Sequence, residues 1–112
     1  MELLQVELRE QDGWTVLTLV GQLDVATAPD LRQSLQEAQY GGERSVVLDL
    51  SGLEFLDSFG LGVLVGGLRR ARLREGRLVL AAVGERIHQV LEVTGLTEAF
   101  ELAGSVEEVL GS

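Results

Sequence analysis

The segment VVLDLSGLEFLDSFGLG, residues 46–62, joins an apolar strand pattern to a helical one. Residues 46–50 form a short apolar run rich in β-branched side chains, which is typical of a strand covered on both faces. After Ser58 the apolar residues recur at steps of three and four, which predicts an amphipathic helix. The predicted inward stripe of this helix consists of Leu61, Leu64, Val65, Leu68 and Ala71.

Ser58 is predicted to lie at or near the N-cap of this helix. There its Oγ can accept a hydrogen bond from an unpaired backbone N–H, which is the commonest reason for a serine at such a position. The preceding Asp57 can be explained by the helix dipole, or it can accept hydrogen bonds or act as a base. The residues alone leave open whether this pair only caps the helix or also forms a functional site.

The composition predicts one domain, residues 1–112, with a single core. Hydrophobic residues make up 46% of the chain and aromatic residues only 4%, so Leu, Val and Ala must build that core, as expected where helices cover a sheet. No apolar run approaches the roughly 18 residues of a membrane-spanning helix, and residues 1–4 lack the basic start of a signal peptide. We therefore expect a soluble cytoplasmic protein without direct membrane insertion.

Charge and residue types exclude several kinds of site. The chain has no cysteine, which rules out disulfides, thiolate metal ligands and a cysteine nucleophile. The single histidine, His88, lies in a polar stretch, where we expect a solvated or half-buried surface position and no metal or cofactor. The formal net charge of −9 argues against a nucleic-acid partner, because phosphate binding depends on Lys and Arg.

All nine basic residues are arginines, and several crowd the second half of the helix after Ser58. One explanation is that these arginines are solvent-exposed cations that offset the helix dipole near its C-terminus. The alternative is an anion-binding patch. The arginines concerned are Arg69, Arg70, Arg72 and Arg74.

The N-terminal part predicts a β-hairpin. Residues 4–8 alternate between apolar and polar, with Leu4, Val6 and Leu8 facing inward, which is the period of a strand with one wet face. A turn at residues 12–13, Asp-Gly, leads to a second, antiparallel strand over residues 14–20. The first strand is therefore predicted to be an edge strand.

A helix follows the hairpin and a loop. Thr27 can cap this helix, Pro29 is tolerated in its first turn, and Gly41-Gly42 ends it. Its inward stripe is predicted to be Leu31, Leu35 and Ala38.

The rest of the chain alternates strands and helices. A strand at residues 78–83, a short helix around residues 87–91 that Gly95 breaks, and a strand at residues 100–102 precede a terminal helix opened by a capping box at residues 105–108. The order is ββαβαβαβα. It predicts an α/β fold with a mixed, mainly parallel sheet of about five strands, right-handed crossovers and an N-terminal antiparallel hairpin.

Two loops are predicted to share a functional rim. In an open α/β sheet the clefts lie at the carboxyl ends of the strands. One loop, after the second strand, carries Asp24 and Thr27, and the other, after residues 46–50, carries Asp57 and Ser58. If these strands are parallel, Asp24 and Ser58 emerge on the same side.

The glycines of the Ser58 helix need an explanation, because each interior glycine costs about 1 kcal/mol relative to alanine. Close packing would explain them, as would the approach of another protein's backbone or a nucleotide to the exposed helix start. Both explanations stay open for Gly60 and Gly62, whereas packing is favoured for Gly66 and Gly67.

No enzyme motif fits, so no enzyme is predicted. Ser58 lacks a G-x-S-x-G elbow, and the single histidine lies well downstream, which makes a serine hydrolase remote. There is no phosphate-binding G-x-x-x-x-G-K-[ST] loop and no lysine at all, and Gly60-x-Gly62 is too short for a dinucleotide fingerprint.

Three motifs resemble one known family. Residues 47–64 resemble the signature of STAS domains, and specifically of bacterial anti-sigma factor antagonists. Residues 21–24, Gly-Gln-Leu-Asp, followed by Thr27-Ala28, are similar to the G-x-L-D loop of that family. Residues 94–96, Thr-Gly-Leu, are similar to its T-G-L near the end of the third helix, and the spacing agrees over nearly the whole chain.

The resemblance implies a phosphorylation switch on Ser58. In that family the serine after the aspartate is phosphorylated by a partner that is both a serine kinase and an anti-sigma factor. The unmodified antagonist sequesters this partner and frees a sigma factor, the phosphorylated form lets go, and a serine phosphatase resets it. The implied partner-binding residues are Asp24, Thr27, Asp57, Phe59, Gly60, Leu61 and Gly62.

One departure from the family pattern bears on which kinase acts on the chain. Members commonly have Asp-Ser-Ser-Gly, whereas this sequence has Phe59 in place of the second serine. Phe59 is either an interface anchor or packs against the core.

An alternative function is an accessory subunit of a membrane transport ATPase, where the same helix face docks without phosphorylation. The intact Asp57-Ser58 pair favours the antagonist.

Overall fold

A computed structural model describes residues 3–41 and 44–111. The order of its elements is ββαβαβαβα, which confirms the predicted order. The elements are β1 (Leu4–Gln11), β2 (Trp14–Leu23), α1 (Ala28–Gly41), β3 (Ser45–Leu56), α2 (Ser58–Leu73), β4 (Arg77–Ala81), α3 (Glu85–Val93), β5 (Glu101–Ala103) and α4 (Val106–Leu110).

The strands form one five-stranded sheet in chain order, from β1 to β5. β1 pairs antiparallel with β2, and β2 to β5 run parallel to one another, which confirms the N-terminal hairpin and the edge position of β1. The carboxyl ends of the four parallel strands therefore lie at the same edge of the sheet.

Apolar side chains cover both faces of the sheet. On one face, α1, α2 and α3 bury the larger cluster, which includes Leu35, Leu48 and Leu64. On the other face, Trp14 and its neighbours lie under the short helix α4, which contributes Val106. Helices on two faces make the three-layer arrangement that suits a core of Leu and Val. No helix in the described ranges is long and apolar enough to cross a membrane.

The predicted helix stripes are largely confirmed. Leu31, Leu35 and Ala38 of α1 are buried, as are Leu64 and Ala71 of α2. The other predicted stripe residues of α2 are partly buried. One residue outside the stripe belongs to the core, because α2 packs against α1 as well as against β3 and β4. The partly buried residues are Leu61, Val65 and Leu68, and the additional core residue is Val63.

Two strands are longer than their patterns predict. β2 continues to Leu23 and β3 to Leu56, and their pairing contains register shifts. Gly21 takes a φ of +119°, and a Cβ there would overlap the carbonyl oxygen of Leu3. A bulge breaks the two-residue period while the pairing goes on, so the sequence pattern stops before the strand does.

Smaller differences occur at other element ends. β4 ends at Ala81 rather than at residue 83, since Ala82 takes a positive φ of 56°. Leu8 is 53% exposed although its spacing predicts an inward side chain, because it lies on the edge strand. α1 extends through Gly41, and the other half of its predicted stop, Gly42, lies outside the described residues.

The C-terminal predictions hold with two changes of one residue each. Gly95 follows α3 with a φ of +75°, and the last strand is shifted by one residue to Glu101–Ala103. Ser105 caps α4 by accepting from the N–H of Glu108 at 3.1 Å. The Glu108 carboxylate accepts in return from the N–H of Gly104 at 2.8 Å, one residue beyond the predicted capping box.

Candidate functional site

The two aspartate-bearing loops meet at the carboxyl ends of β2 and β3. Leu23 and Leu56, the last residues of these strands, are partners in the parallel register. The N–H of Asp57 donates to the carbonyl oxygen of Leu23 at 3.2 Å. The structure therefore brings together on one rim the two loops that the sequence analysis predicts to be neighbours.

Asp57 is the residue that joins the loops. It is the N-cap of α2, and its Oδ1 accepts from the N–H groups of Phe59 at 2.9 Å and Gly60 at 3.0 Å. Its Oδ2 accepts from the N–H of Val25 at 3.1 Å. One carboxylate thus caps the helix and holds the neighbouring loop against the helix start.

The capping role predicted for Ser58 belongs to Asp57 instead. Ser58 is the first residue of α2 and its side chain is exposed. An Asp and a Ser are about equally good N-caps, so their order in the sequence did not show which one would cap. Because Asp57 binds the N–H groups of Phe59 and Gly60, the helix does not need the hydroxyl of Ser58 as a cap.

Asp24 and Thr27 lock the other loop. Asp24 Oδ1 accepts from the N–H groups of Ala26 at 3.0 Å and Thr27 at 3.1 Å. Thr27 Oγ1 accepts from the N–H of Asp24 at 2.9 Å and donates to the carbonyl oxygen of Gln22 at 2.9 Å. Thr27 precedes α1, as predicted for a cap, but its buried hydroxyl binds back into the loop rather than to the helix.

The rim carries uncompensated negative charge. Within residues 3–41 and 44–111, neither Asp24 nor Asp57 forms an ion pair. Backbone N–H groups and the N-terminal end of α2 stabilise the two carboxylates without adding a positive side chain. A further anion bound nearby would meet two like charges and few unoccupied donors.

Exposed apolar side chains flank Ser58. Phe59 is 60% exposed, so it does not pack against the core. Val25, in the opposite loop, is 58% exposed and had no part in the predicted site, although an apolar residue directly after Asp24 in a predicted loop was a visible signal. Leu61 is partly buried against the core. Phe59 and Val25 therefore add apolar contact area to a polar rim.

The four glycines of α2 fall into two classes. A Cβ on Gly60 would lie 2.5 Å from Leu23 Cγ, and one on Gly67 would lie 2.5 Å from Leu35 Cδ2, so packing requires both glycines. A Cβ on Gly62 would meet nothing within 4 Å, and one on Gly66 would meet only the tip of Arg70. Packing thus explains Gly60 and Gly67, and the packing prediction for Gly66 was wrong.

Chemistry other than binding has little support in the described ranges. No three His, Asp or Glu side chains there are grouped so that they could hold a metal ion. The half-exposed His88 has its Nδ1 atom 3.9 Å from Oε1 of Glu92, one turn further along α3. Within the described part of the chain, no hydrogen bond joins His88 to Ser58. A serine nucleophile is activated by a base within hydrogen-bond reach, and within the described ranges His88 does not hold that position.

Comparison with known proteins gives a consistent result. The model of the STAS domain family matches residues 5–109. The anti-sigma-B factor antagonist of Listeria monocytogenes is 30% identical over 110 residues, which are 97% of this chain and 96% of that protein. The crystal structure of an anti-sigma factor antagonist from Mycobacterium paratuberculosis superimposes with a TM-score of 0.87 at 28% identity, covering 96% of this chain and 92% of that one.

A third similarity concerns the fold alone. The structure of the Bacillus cell fate determinant SpoIIAA in its phosphorylated form has a TM-score of 0.75 at 24% identity. The alignment covers 96% of each chain.

Proposed function

This chain belongs to the STAS domain family, and we propose that it is an anti-sigma factor antagonist controlled by phosphorylation of Ser58. In its unmodified form it binds and sequesters an anti-sigma factor serine kinase, so that a sigma factor is released. Phosphorylation of Ser58 by that kinase abolishes binding, and a serine phosphatase restores it. The protein is then a substrate of the kinase and performs no catalysis, and it works in the cytoplasm with the transcription machinery.

The observation that carries this proposal is the exposed hydroxyl of Ser58 beside the cap of α2. A kinase needs an accessible acceptor, and a switch needs that acceptor inside the binding surface. The position of Ser58 supports both requirements, because the residue is exposed and the Asp57 carboxylate beside it joins α2 to the Asp24 loop.

The proposed footprint combines polar and apolar contacts. Asp24, Asp57 and Phe59 present charge and an exposed ring, and Gly62 leaves bare helix backbone that a partner can approach closely. The other residues of the proposed footprint are less exposed to a partner. Leu61 is half-buried beneath the surface, while the buried Thr27 and Gly60 contribute by holding the loop and the helix start in place.

Phosphorylation would make this rim repulsive without unfolding it. A phosphoserine adds about −1.5 to −2 charges, and a helix N-terminus tolerates an anion. The N–H groups of Phe59 and Gly60 already bind Asp57, however, so they leave the added phosphate poorly compensated. Like charges in an interface cost several kcal/mol, and about 1.4 kcal/mol is already a tenfold loss of affinity.

The fold is compatible with this modification. SpoIIAA, a Bacillus protein of the same fold, has been solved in a phosphorylated form. That likeness says nothing about which residue is modified in this chain, so the site has to be tested directly.

The test is phosphorylation by the cognate kinase with ATP, followed by mass spectrometry. We expect one phosphate, located on Ser58, and none on the Ser58→Ala variant. A phosphate on any other residue would remove Ser58 from this role. Binding of the partner without any phosphate transfer would favour the accessory subunit of a transport ATPase.

A further inference from the structure

The far end of α2 carries a second surface, formed by Arg44, Arg69, Arg72 and Arg74 around Leu73. We call this surface the arginine pole. Ser58 and Leu73 are the first and last residues of α2, and a helix rises 1.5 Å per residue, so the pole lies roughly 22 Å from Ser58 along the helix. A partner on the rim would leave the pole accessible.

The pole contains two adjoining clefts that share Leu73. One cleft of ≈ 290 Å³ has a mainly apolar lining, including Leu68 and Leu96, with Arg69 and Arg72 among its lining residues. The other, of ≈ 280 Å³, is lined by Arg44, Leu73, Arg74 and Glu75. Leu73 itself is 78% exposed. The surface therefore combines an apolar centre with a cationic border.

Four arginines of the pole face one carboxylate, Glu75, which lines the same cleft as Arg44 and Arg74. None of these arginines forms an ion pair with a carboxylate within the described part of the chain, although the protein has twice as many acids as bases, 18 against 9. Arg72 donates to the carbonyl oxygen of Ala99 at 3.0 Å, and Arg74 stacks on the ring of Tyr40 at 4.6 Å. Both contacts position a guanidinium but leave its charge unpaired.

The helix dipole explains only part of this cluster. Arg72 lies in the last turn of α2, where a cation is favoured. Arg44, by contrast, precedes β3 and belongs to no helix, yet it lines the same cleft as Arg74. Two separate chain segments thus contribute arginines to one surface.

We infer that the arginine pole binds an acidic protein segment that carries a large apolar side chain. Carboxylates match the guanidinium fork of arginine, and the apolar side chain would occupy the cleft beside Leu73. Nucleic acid fits less well, because the whole chain carries a formal net charge of −9, which would repel an extended polyanion. This inference does not depend on the proposed function of the rim.

The test uses a fluorescent peptide in which one phenylalanine is flanked by glutamates, titrated with the protein and followed by anisotropy. We expect saturable binding that weakens with salt. A peptide with glycine for phenylalanine should bind about tenfold more weakly, and a peptide with lysine for glutamate should not bind.

Charge-reversal variants locate the binding. Arg44→Glu with Arg69→Glu should reduce peptide affinity at least about tenfold, since two attractive charges become repulsive. The control is Arg32→Glu, an exposed arginine of α1 outside the pole, which should bind like the wild type apart from a small effect of net charge. Ser58→Asp should also bind the peptide normally. Circular dichroism of each variant verifies that it is folded.

Several outcomes would overturn the inference. Absence of saturable peptide binding would do so, as would equal binding by the double variant and the wild type. Tighter binding of a DNA duplex than of the peptide would assign the pole to nucleic acid. Self-association in sedimentation experiments that the double variant abolishes would make a second copy of this chain the occupant.

Discussion

At the level of single residues, Asp57 rather than Ser58 caps α2. The carboxylate of Asp57 accepts three backbone hydrogen bonds, two from its own helix and one from Val25. Ser58 is thereby relieved of capping, and its hydroxyl lies exposed at the helix start. A modifiable serine is best placed where its modification breaks no hydrogen bond of the fold.

Replacing Asp57 should destabilise the fold. Asp57→Ala removes a cap, which costs about 1 kcal/mol, and it also removes the bond to Val25. Urea denaturation should show this loss of the free energy of unfolding. Asp57→Asn is the matched variant, because an amide oxygen still caps the helix while the bond to the Val25 N–H is lost, so it should fall between Ala and wild type. The interpretation fails if Asp57→Ala costs no more than Glu54→Ala, a change at an exposed strand residue.

Replacing Ser58 should separate folding from binding. Ser58→Asp should fold normally yet lose affinity for the cognate kinase at least about tenfold, because a fixed anion joins Asp24 and Asp57 on the rim. Ser58→Ala should bind the kinase permanently, since it cannot be phosphorylated. Calorimetric titration of both variants measures the difference, and equal affinities would contradict the switch.

At the level of elements, α2 shows why the number of glycines in a helix says little about their purpose. Gly60 and Gly67 face Leu23 and Leu35 at distances that leave no room for a methyl group. Gly62 meets nothing, so the fold itself does not need it. An exposed helical glycine without a packing reason fits a surface that another backbone approaches.

Substituting these glycines should give opposite signs of stability change. Gly62→Ala should stabilise the protein by about 0.5–1 kcal/mol through helix propensity, and under the proposed function it should weaken kinase binding. Gly67→Ala should destabilise it by roughly 1–3 kcal/mol, because the new methyl group overlaps Leu35. Thermal unfolding of the pair measures both effects, and a stability loss in Gly62→Ala would show that the fold does need this glycine.

At the level of the whole molecule, the rim and the Trp14 indole lie at opposite ends of β2. Trp14 is the first residue of β2 and Leu23 the last, so the strand separates them by roughly 30 Å at 3.3 Å per residue. Trp14 packs under α4 in the cluster of Val106. The indole therefore reports on the fold far from Ser58.

Phosphorylation of Ser58 should leave the Trp14 emission spectrum unchanged, because the charge acts locally and no rearrangement of the core is required. Val106→Ala is the positive control, since this buried residue covers the same cluster. It should cost roughly 2 kcal/mol and shift the emission to longer wavelength. A similar shift on phosphorylation would mean that the switch works by refolding instead of by repulsion.

The fold was predictable to the level of element order and strand direction. The period of the apolar residues located α1 and α2, and the Asp12-Gly13 turn indicated the hairpin. The ends of β2 and β3 were not predictable, because a bulge around Gly21 continues the pairing after the alternation has ended. The exposure of Leu8 was not predictable either. The spacing of apolar residues indicates which face of a strand a side chain lies on, but not whether a helix covers that face.

The candidate site was predictable in position but not in its internal bonding. Ser58, Asp57 and Asp24 were identifiable because they follow two strands that share an edge if they are parallel, and the structure pairs these strands in parallel. Only the folded structure shows that Val25 contributes to the site and that Asp57 rather than Ser58 caps α2. Both depend on which backbone amides lie within reach.

The sequence by itself determined the α/β class, the order of the elements and the placement of Ser58 where a strand passes into a helix, because periodicity and turn chemistry act over a few neighbouring residues. The tertiary structure alone decided that Asp57 binds Val25 across 32 positions of the chain, and that Leu23 and Leu35 exclude side chains at Gly60 and Gly67. These features are contacts between distant segments, and such contacts exist only once the segments are packed together.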